Sequence, residues 1–197
     1  MDLFPLATAS GTNYGQASIR TLKPNVTQQE AVRTFSAAGF SALYWRLRIG
    51  PLQKIAEAYV PFWLYRVRYE MGRAVQSRLF ALDAVDGSLD LFEFPRTPDE
   101  RELLPFDSRN RLAPAMTEDR AAELLREKVL RVVFQQGFFK LRDARLYIAR
   151  EPCEIYLPYW LGFYGGNGMV RCRVLDAVRR RIEGAKASAF FEQWLAA

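Results

Sequence analysis

Histidine does not occur in this 197-residue chain. That removes the side chain that most often serves as general base and as a ligand for transition metals. Cysteine is almost as scarce: Cys153 and Cys172 are the only two, both in the second half. A Cys–His nucleophile pair is therefore impossible, and two thiols alone seldom make a zinc site. They read as free, partly buried thiols rather than as a structural disulfide. No apolar run approaches the roughly 20 residues that span a bilayer. The start, Met1-Asp2-Leu3-Phe4-Pro5, has neither the basic region nor the apolar stretch of a secretory leader, which predicts a cytoplasmic location away from membranes. Glycine-rich phosphate loops are missing too. Gly165-Gly166-Asn167-Gly168 follows neither the Walker nor the dinucleotide-binding spacing, and it falls between strand patterns. These absences leave no expected cofactor, no metal site and no nominated catalytic residue.

Charge is present but undirected. The formal net charge is +6, with 28 basic and 22 acidic residues. Only five of the basic residues are lysine. Residues 1–98 hold 11 basic and 8 acidic side chains and residues 99–197 hold 17 and 14, so each half is equally basic and no basic tail stands out.

What the chain does have is a repeat. Tyr59-Val60-Pro61-Phe62-Trp63-Leu64 returns as Tyr156-Leu157-Pro158-Tyr159-Trp160-Leu161, 97 positions later. Leu82-Asp83-Ala84-Val85 returns unchanged as Leu175-Asp176-Ala177-Val178, 93 positions later. The first offset also aligns Arg48 with Arg145, Ile49 with Leu146 and Glu57 with Glu154. An internal duplication constrains the fold more than any single motif.

Local patterns fill in the two copies. Residues 1–25 read as an irregular arm rich in Ser, Thr, Asn and Gly. Thr27-Gln28-Gln29-Glu30 is a capping box opening a helix over 27–38 with Ala31, Val32, Phe35 and Ala38 on its apolar face. Period-two alternation then predicts strands at 42–49, 63–69 and 78–85, and Asp86-Gly87 predicts a two-residue hairpin returning through 89–94. Proline and charge at 95–115 read as a linker. Thr117 opens a second helix ending near Gly137, with Ala121, Leu124, Leu125, Lys128, Val129, Val132 and Val133 as its amphipathic stripe. Strands follow at 141–149, 154–164 and 169–178, then a final helix at 185–195. The expected fold is α+β: two tandem repeats, each a helix plus a four-stranded antiparallel sheet, related by a pseudo-twofold, with a C-terminal helix. Its divisions are an arm at 1–25, repeat 1 at 26–98, a linker at 99–116 and repeat 2 at 117–197.

The run Val26-Thr27-Gln28-Gln29-Glu30-Ala31 and the later Leu82-Asp83-Ala84-Val85-Asp86-Gly87-Ser88-Leu89 resemble the PepSY-type module. The resemblance covers residues 26–94 and, more faintly, 116–184. It implies one helix on a curved antiparallel sheet and a role in inhibiting or chaperoning peptidases. Family members are mostly exported. This chain departs in lacking a leader, in its Pro-aromatic-Trp motif, and in carrying Arg179-Arg180 where the first copy has Asp86-Gly87. That last difference predicts an unlike hairpin.

The candidate binding residues come from the repeat: Glu57, Tyr59, Trp63 and Asp83, with Glu154, Tyr156, Trp160 and Asp176. Pro61 and Pro158 lack an amide donor and are expected at a strand start, edge or bulge, where they could re-aim the neighbouring aromatics. The alternative is that these rings are ordinary core. The carboxylates offer a hydrolase reading only if they converge on one pocket; otherwise they pair with arginines such as Arg48 and Arg145. Arg46, Arg48, Arg66, Arg68, Arg171 and Arg173 alternate along strands, which offers RNA or single-stranded DNA binding, against an ordinary solvated face. Arg179-Arg180-Arg181 reads as a solvated turn. The leading expectation is a non-enzymatic protein- or peptide-binding scaffold, whose partner could be a second copy of the chain meeting a sheet edge.

Overall fold

A computed structural model describes residues 18–36, 47–71, 74–135, 145–166 and 169–196. In chain order the elements are β1 (Ile19–Leu22), α1 (Gln28–Ser36), β2 (Leu52–Met71), β3 (Ala74–Asp83), β4 (Phe92–Phe94) and β5 (Leu103–Phe106). Then come α2 (Glu118–Gln135), β6 (Arg145–Gly166), β7 (Met169–Asp176), β8 (Arg181–Ile182) and α3 (Ala185–Ala196). The fold is α+β with one mixed eight-stranded sheet, not two separate repeats. Its order is β4-β3-β2-β6-β1-β5, with β7 also pairing with β6, and β8 with β7.

The two sheets expected from the repeat merge because β2 and β6 cannot be edges. Every residue of Ala58–Tyr65 is buried, as are Ile155–Tyr159. A strand buried on both faces belongs at the centre of a sheet, with its ladder groups paired on both sides. One such strand comes from each copy, and the two pair with each other.

Their register carries the duplication. Val60 lies opposite Leu157, its own counterpart 97 positions on. Around that point Tyr59 faces Pro158 and Pro61 faces Tyr156, while Glu57 faces Trp160 and Trp63 faces Glu154. Each pairing thus occurs twice, once from either copy. The outer strands match as well: Phe62 faces Asp83 on one side and Tyr159 faces Asp176 on the other.

Neither proline sits at a strand start or edge. The Tyr59 amide donates outward to the Asn110 carbonyl (2.9 Å), away from β6, and Pro61 two residues on faces the same way. The Pro61 carbonyl accepts from the Ala84 amide (2.8 Å), and the Pro158 carbonyl accepts from the Ala177 amide (3.1 Å). A missing N–H on that flank costs the β2–β6 ladder nothing.

The arm and the linker turn out to be repeat as well. Leu22-Lys23-Pro24-Asn25-Val26-Thr27 corresponds to Leu112-Ala113-Pro114-Ala115-Met116-Thr117, 90 positions later. Thr21 bridges Tyr156 in parallel and Arg111 bridges Tyr59 in parallel, the same contact in each copy. Residues 19–22 are strand, and β1 pairs with β5 from the supposed linker; residues 1–17 of the arm lie outside the described residues.

Other boundaries also shift. Residues 47–48 are helical rather than strand, and positions 42–46 lie outside the described residues. The patterns at 141–149 and 154–164 belong to a single strand, β6, as far as the described residues reach. Among the described residues there are three helices, and none is long and apolar enough to cross a membrane.

Each of the first two helices takes its fully buried strand partners from the other copy, with half-buried residues of its own copy at the margin (Ile49, Leu52 and Ile55 under α1, Leu146 and Ile148 under α2). Ala31 and Phe35 of α1 cluster with Tyr164, Leu175 and Ala177, and Trp160 packs against them. Ala121, Leu125 and Val129 of α2 cluster with Trp63, Tyr65, Val67, Phe80, Leu82 and Ala84. Backbone bonds anchor the start of both helices: the Asn25 amide donates to the Ala177 carbonyl (2.7 Å), and the Ala115 and Met116 amides donate to the Ala84 carbonyl (2.9 and 3.0 Å). The capping box forms as its spacing demands, the Thr27 amide donating to Glu30 Oε2 (2.8 Å). A size exchange accompanies the crossing. Phe35 lies so close to Gly162 that a Cβ there would sit 2.9 Å from its ring. In the other copy the counterparts are Leu125 and Tyr65, a smaller helix residue over a larger strand residue.

Candidate functional site

Six of the eight candidate residues share one face of the sheet. Glu57, Tyr59 and Trp63 project from β2 in alternation, and the register puts Glu154, Tyr156 and Trp160 beside them on β6. They lie between α1 and α2, and all but Glu57, Glu154 and Trp160 are buried. Tyr59 Oη donates to Glu57 Oε2 (3.2 Å), and Trp63 Nε1 donates to Glu154 Oε2 (3.1 Å). Trp160 breaks the symmetry by donating to the Val26 carbonyl (2.9 Å) at the start of α1. Phe106 packs on Tyr59 with ring centroids 4.9 Å apart. Arg150 stacks over Trp63 at 4.2 Å and also pairs with Glu118 of α2.

This arrangement is spent on itself. Burial, reinforced by the adjacent glutamates, pushes the Tyr59 and Tyr156 hydroxyls above the usual phenol range, so both stay protonated. Glu57 and Glu154 stand six strand positions apart across the β2–β6 pair, about 20 Å at the ordinary strand rise. Two-carboxylate hydrolysis needs them within about 10 Å. They cannot act together.

The aspartates go elsewhere. Asp83 lies opposite Phe62, on the opposite face from Glu57. Its Oδ1 accepts from the Asp86 (3.1 Å) and Gly87 (2.8 Å) amides, and its Oδ2 from the Leu89 amide (2.9 Å). Asp176 Oδ1 accepts from the Val178 (2.8 Å) and Arg179 (2.7 Å) amides. Both are turn-closing carboxylates. Burial raises both pKa values, against the lowering effect of those amides. The turns are also more alike than Asp-Gly against Arg-Arg suggests, because Gly87 (φ 72°) and its counterpart Arg180 (φ 60°) are both left-handed. Beyond that point they part. Asp176 faces Arg181 across a tight turn, whereas the first copy continues to Phe92 before rejoining β3 at Ala81. Asp86-Gly87 is thus no two-residue hairpin.

Of the three arginines after Asp176, Arg180 and Arg181 are exposed, as a solvated turn requires, and Arg179 alone is half-buried. Arg179 donates to the Leu91 carbonyl (2.7 Å) and lies 4.0 Å over the Phe92 ring. Arg180 pairs with Glu30 of α1 and Arg181 with Asp90 and Glu183. On the strands, Arg66 is paired with Glu151 and Arg68 with Glu70. Burial pushes the free Cys172 thiol up to about 12, and Cys153 is also free. Among the described residues no cluster of three or more metal-ligating side chains occurs.

Open space lies where the copies differ. A groove of about 400 Å³ runs between β4 and the β1–β5 pair, with Val178 of the second-copy turn at its side. Leu22, Phe92, Phe94 and Leu104 make it apolar, and the two phenylalanine rings lie 4.6 Å apart. Lys23, Arg101 and Glu102 line its rim. Sequence reasoning missed this place. The available signal was Phe92-Glu93-Phe94-Pro95, an alternating aromatic pair ended by proline within a segment that has no counterpart in the second copy.

Comparison with protein-family models, with curated proteins and with solved structures finds no match to this chain. The resemblance to the PepSY-type module therefore rests on the quoted residues alone.

Proposed function

We propose that the chain is a non-enzymatic scaffold that binds a peptide or protein segment, and that its binding surface lies in the unrepeated segment 88–106 rather than in the repeated motif. One observation carries this reading. The Glu57, Tyr59, Trp63, Glu154 and Trp160 side chains of the repeated motif bond within the fold, whereas the segment between the copies lines an apolar groove open to solvent. Folded proteins seldom leave aromatic rings and leucine along an open groove without a use for them.

Selection from a random displayed peptide library tests it. The expected result is an enriched sequence family whose binding shifts the backbone amide resonances of residues 92–94 and 103–106. Binding should persist in Glu57→Gln and Glu154→Gln. No enrichment, or shifts confined to the Glu57/Glu154 face, would overturn the proposal. A nucleic-acid role would show instead as a shift of a labelled single strand at physiological salt that Arg66→Ala and Arg68→Ala abolish.

A further inference from the structure

The groove's rim is electrostatically lopsided. Glu102 is already held by both terminal nitrogens of Arg96 (2.9 Å each) and by the Asp99 amide (2.8 Å). Lys23 and Arg101 are exposed and make no ion pair among the described residues. Two unneutralised cations therefore border an apolar floor. The groove's long sides are strand edges: β4 pairs only with β3, and β5 only with β1. The β4 edge offers unpaired main-chain donors and acceptors to an incoming strand, whereas on β5 Pro105 has no amide and the Leu103 amide donates to the Glu100 carbonyl, leaving that edge to act through its acceptors and side chains.

From this juxtaposition we infer that the groove takes an extended acidic peptide, with large apolar side chains at alternate positions and carboxylates flanking them. The apolar positions lie along the groove between the Phe92–Phe94 pair on one side and Leu22 and Leu104 on the other, and the carboxylates meet Lys23 and Arg101. An extended chain suits the site because its side-chain alternation separates buried from charged positions and its backbone can bond to an open edge. This inference rests on the binding-module reading and names the ligand class for that same groove.

Fluorescence anisotropy with a fluorescein-labelled peptide alternating glutamate with leucine and phenylalanine tests it, beside a control with lysine for glutamate. The acidic peptide should bind, the lysine peptide at least about tenfold more weakly. Lys23→Ala and Arg101→Ala should each weaken binding about threefold, and the two together about tenfold, with a reduced salt dependence. Leu104→Ser, at a residue 41% exposed and so tolerant of change, should weaken binding about fivefold and leave the salt dependence intact. Equal binding of the lysine peptide, full affinity in the double variant, or no anisotropy change at millimolar protein would overturn the inference. If displayed selection enriches groove-binding peptides that are not acidic, the binding-module reading stands and this inference falls. If nothing binds the groove, both fall.

Discussion

The centre of the sheet and the groove at its rim obey opposite rules. At the centre, where β2 meets β6, the pairings from Glu57 to Trp63 are made twice, and the Tyr59, Trp63 and Trp160 polar groups bond inside the fold. At the rim, Phe92, Phe94, Arg101, Glu102 and Leu104 of the single-copy segment meet Leu22, Lys23 and Val178 of repeated ones, and the surface stays open. Duplicated residues here build the scaffold, and the single-copy segment supplies the surface that could be used. The same contrast separates the two halves elsewhere. In the second copy α3 lays Phe190 and Phe191 over the sheet, and its Glu192 accepts from the Cys172 amide (2.9 Å) on the outer edge of β7. In the first copy Phe94, Leu89 and Leu103 do the covering, and the short edge strand β4 is left with a free side.

Four substitutions sharpen this comparison. The largest effect is expected at Phe35, which is 1% exposed and seated on Gly162 of the other copy. Phe35→Ala should cost about 3–5 kcal/mol in urea unfolding. Because α1 covers the second copy's strands, a loss smaller than about 1 kcal/mol would be incompatible with the exchanged helices. An intermediate effect is expected at Asp83 and Asp176. Burial raises both folded-state pKa values, so their contribution to stability is greatest below the unfolded value of 3.8 and declines as pH rises through the raised value. Unfolding measured from pH 4 to 7 should show that decline, and Asp83→Asn should flatten it while losing about 1–3 kcal/mol from the weakened turn at pH 4. A difference between wild type and Asp83→Asn that grows in the wild type's favour as pH rises would contradict the direction given. The smallest effect is at Arg180. Arg180→Gly removes a left-handed arginine and an exposed ion pair with Glu30, two changes that oppose each other. Thermal melts should show a net change within about 1 kcal/mol. Its counterpart Gly87→Ala should be the more harmful of the two, because the new Cβ would lie 2.8 Å from Leu124 Cδ1 and 3.1 Å from Met116 Cε.

Legibility in the sequence follows residue chemistry closely. The Tyr-x-Pro-aromatic-Trp and Leu-Asp-Ala-Val repeats are visible because large side chains at a shared central pairing tolerate little change. The helices α2 and α3 and the capping box at Thr27 are visible because caps and 3.6-residue periodicity are local signals. The strand β1 is hidden, since Ile19-Arg20-Thr21-Leu22 is too short for a pattern. The fainter part of the repeat, Leu-x-Pro-x-x-Thr, keeps only three residue types, each needed for a local turn and cap. The merging of two sheets is hidden for another reason. Period-two alternation in 63–69 reads as a half-exposed strand, yet the residues that decide its place are the unbroken buried run of 58–65 that begins before it. Which copy a helix serves has no local signature at all, since Ala31/Phe35 and Ala121/Leu125 would suit either hairpin equally. The groove escapes for the converse reason: it is assembled from residues 22, 92, 94, 104 and 178, which only the sheet order brings together.

The central claim is that the two copies form one interlocked scaffold, each helix lying on the other copy's strands. Nuclear Overhauser contacts test it directly in the full-length protein. The predicted contacts run from the Phe35 ring protons to the Gly162 α-protons and the Tyr164 ring, and from the Leu125 methyls to residues of the Trp63–Val67 stretch. Contacts from Phe35 to Trp63 and Val67 of its own half, with Gly162 silent, would contradict it.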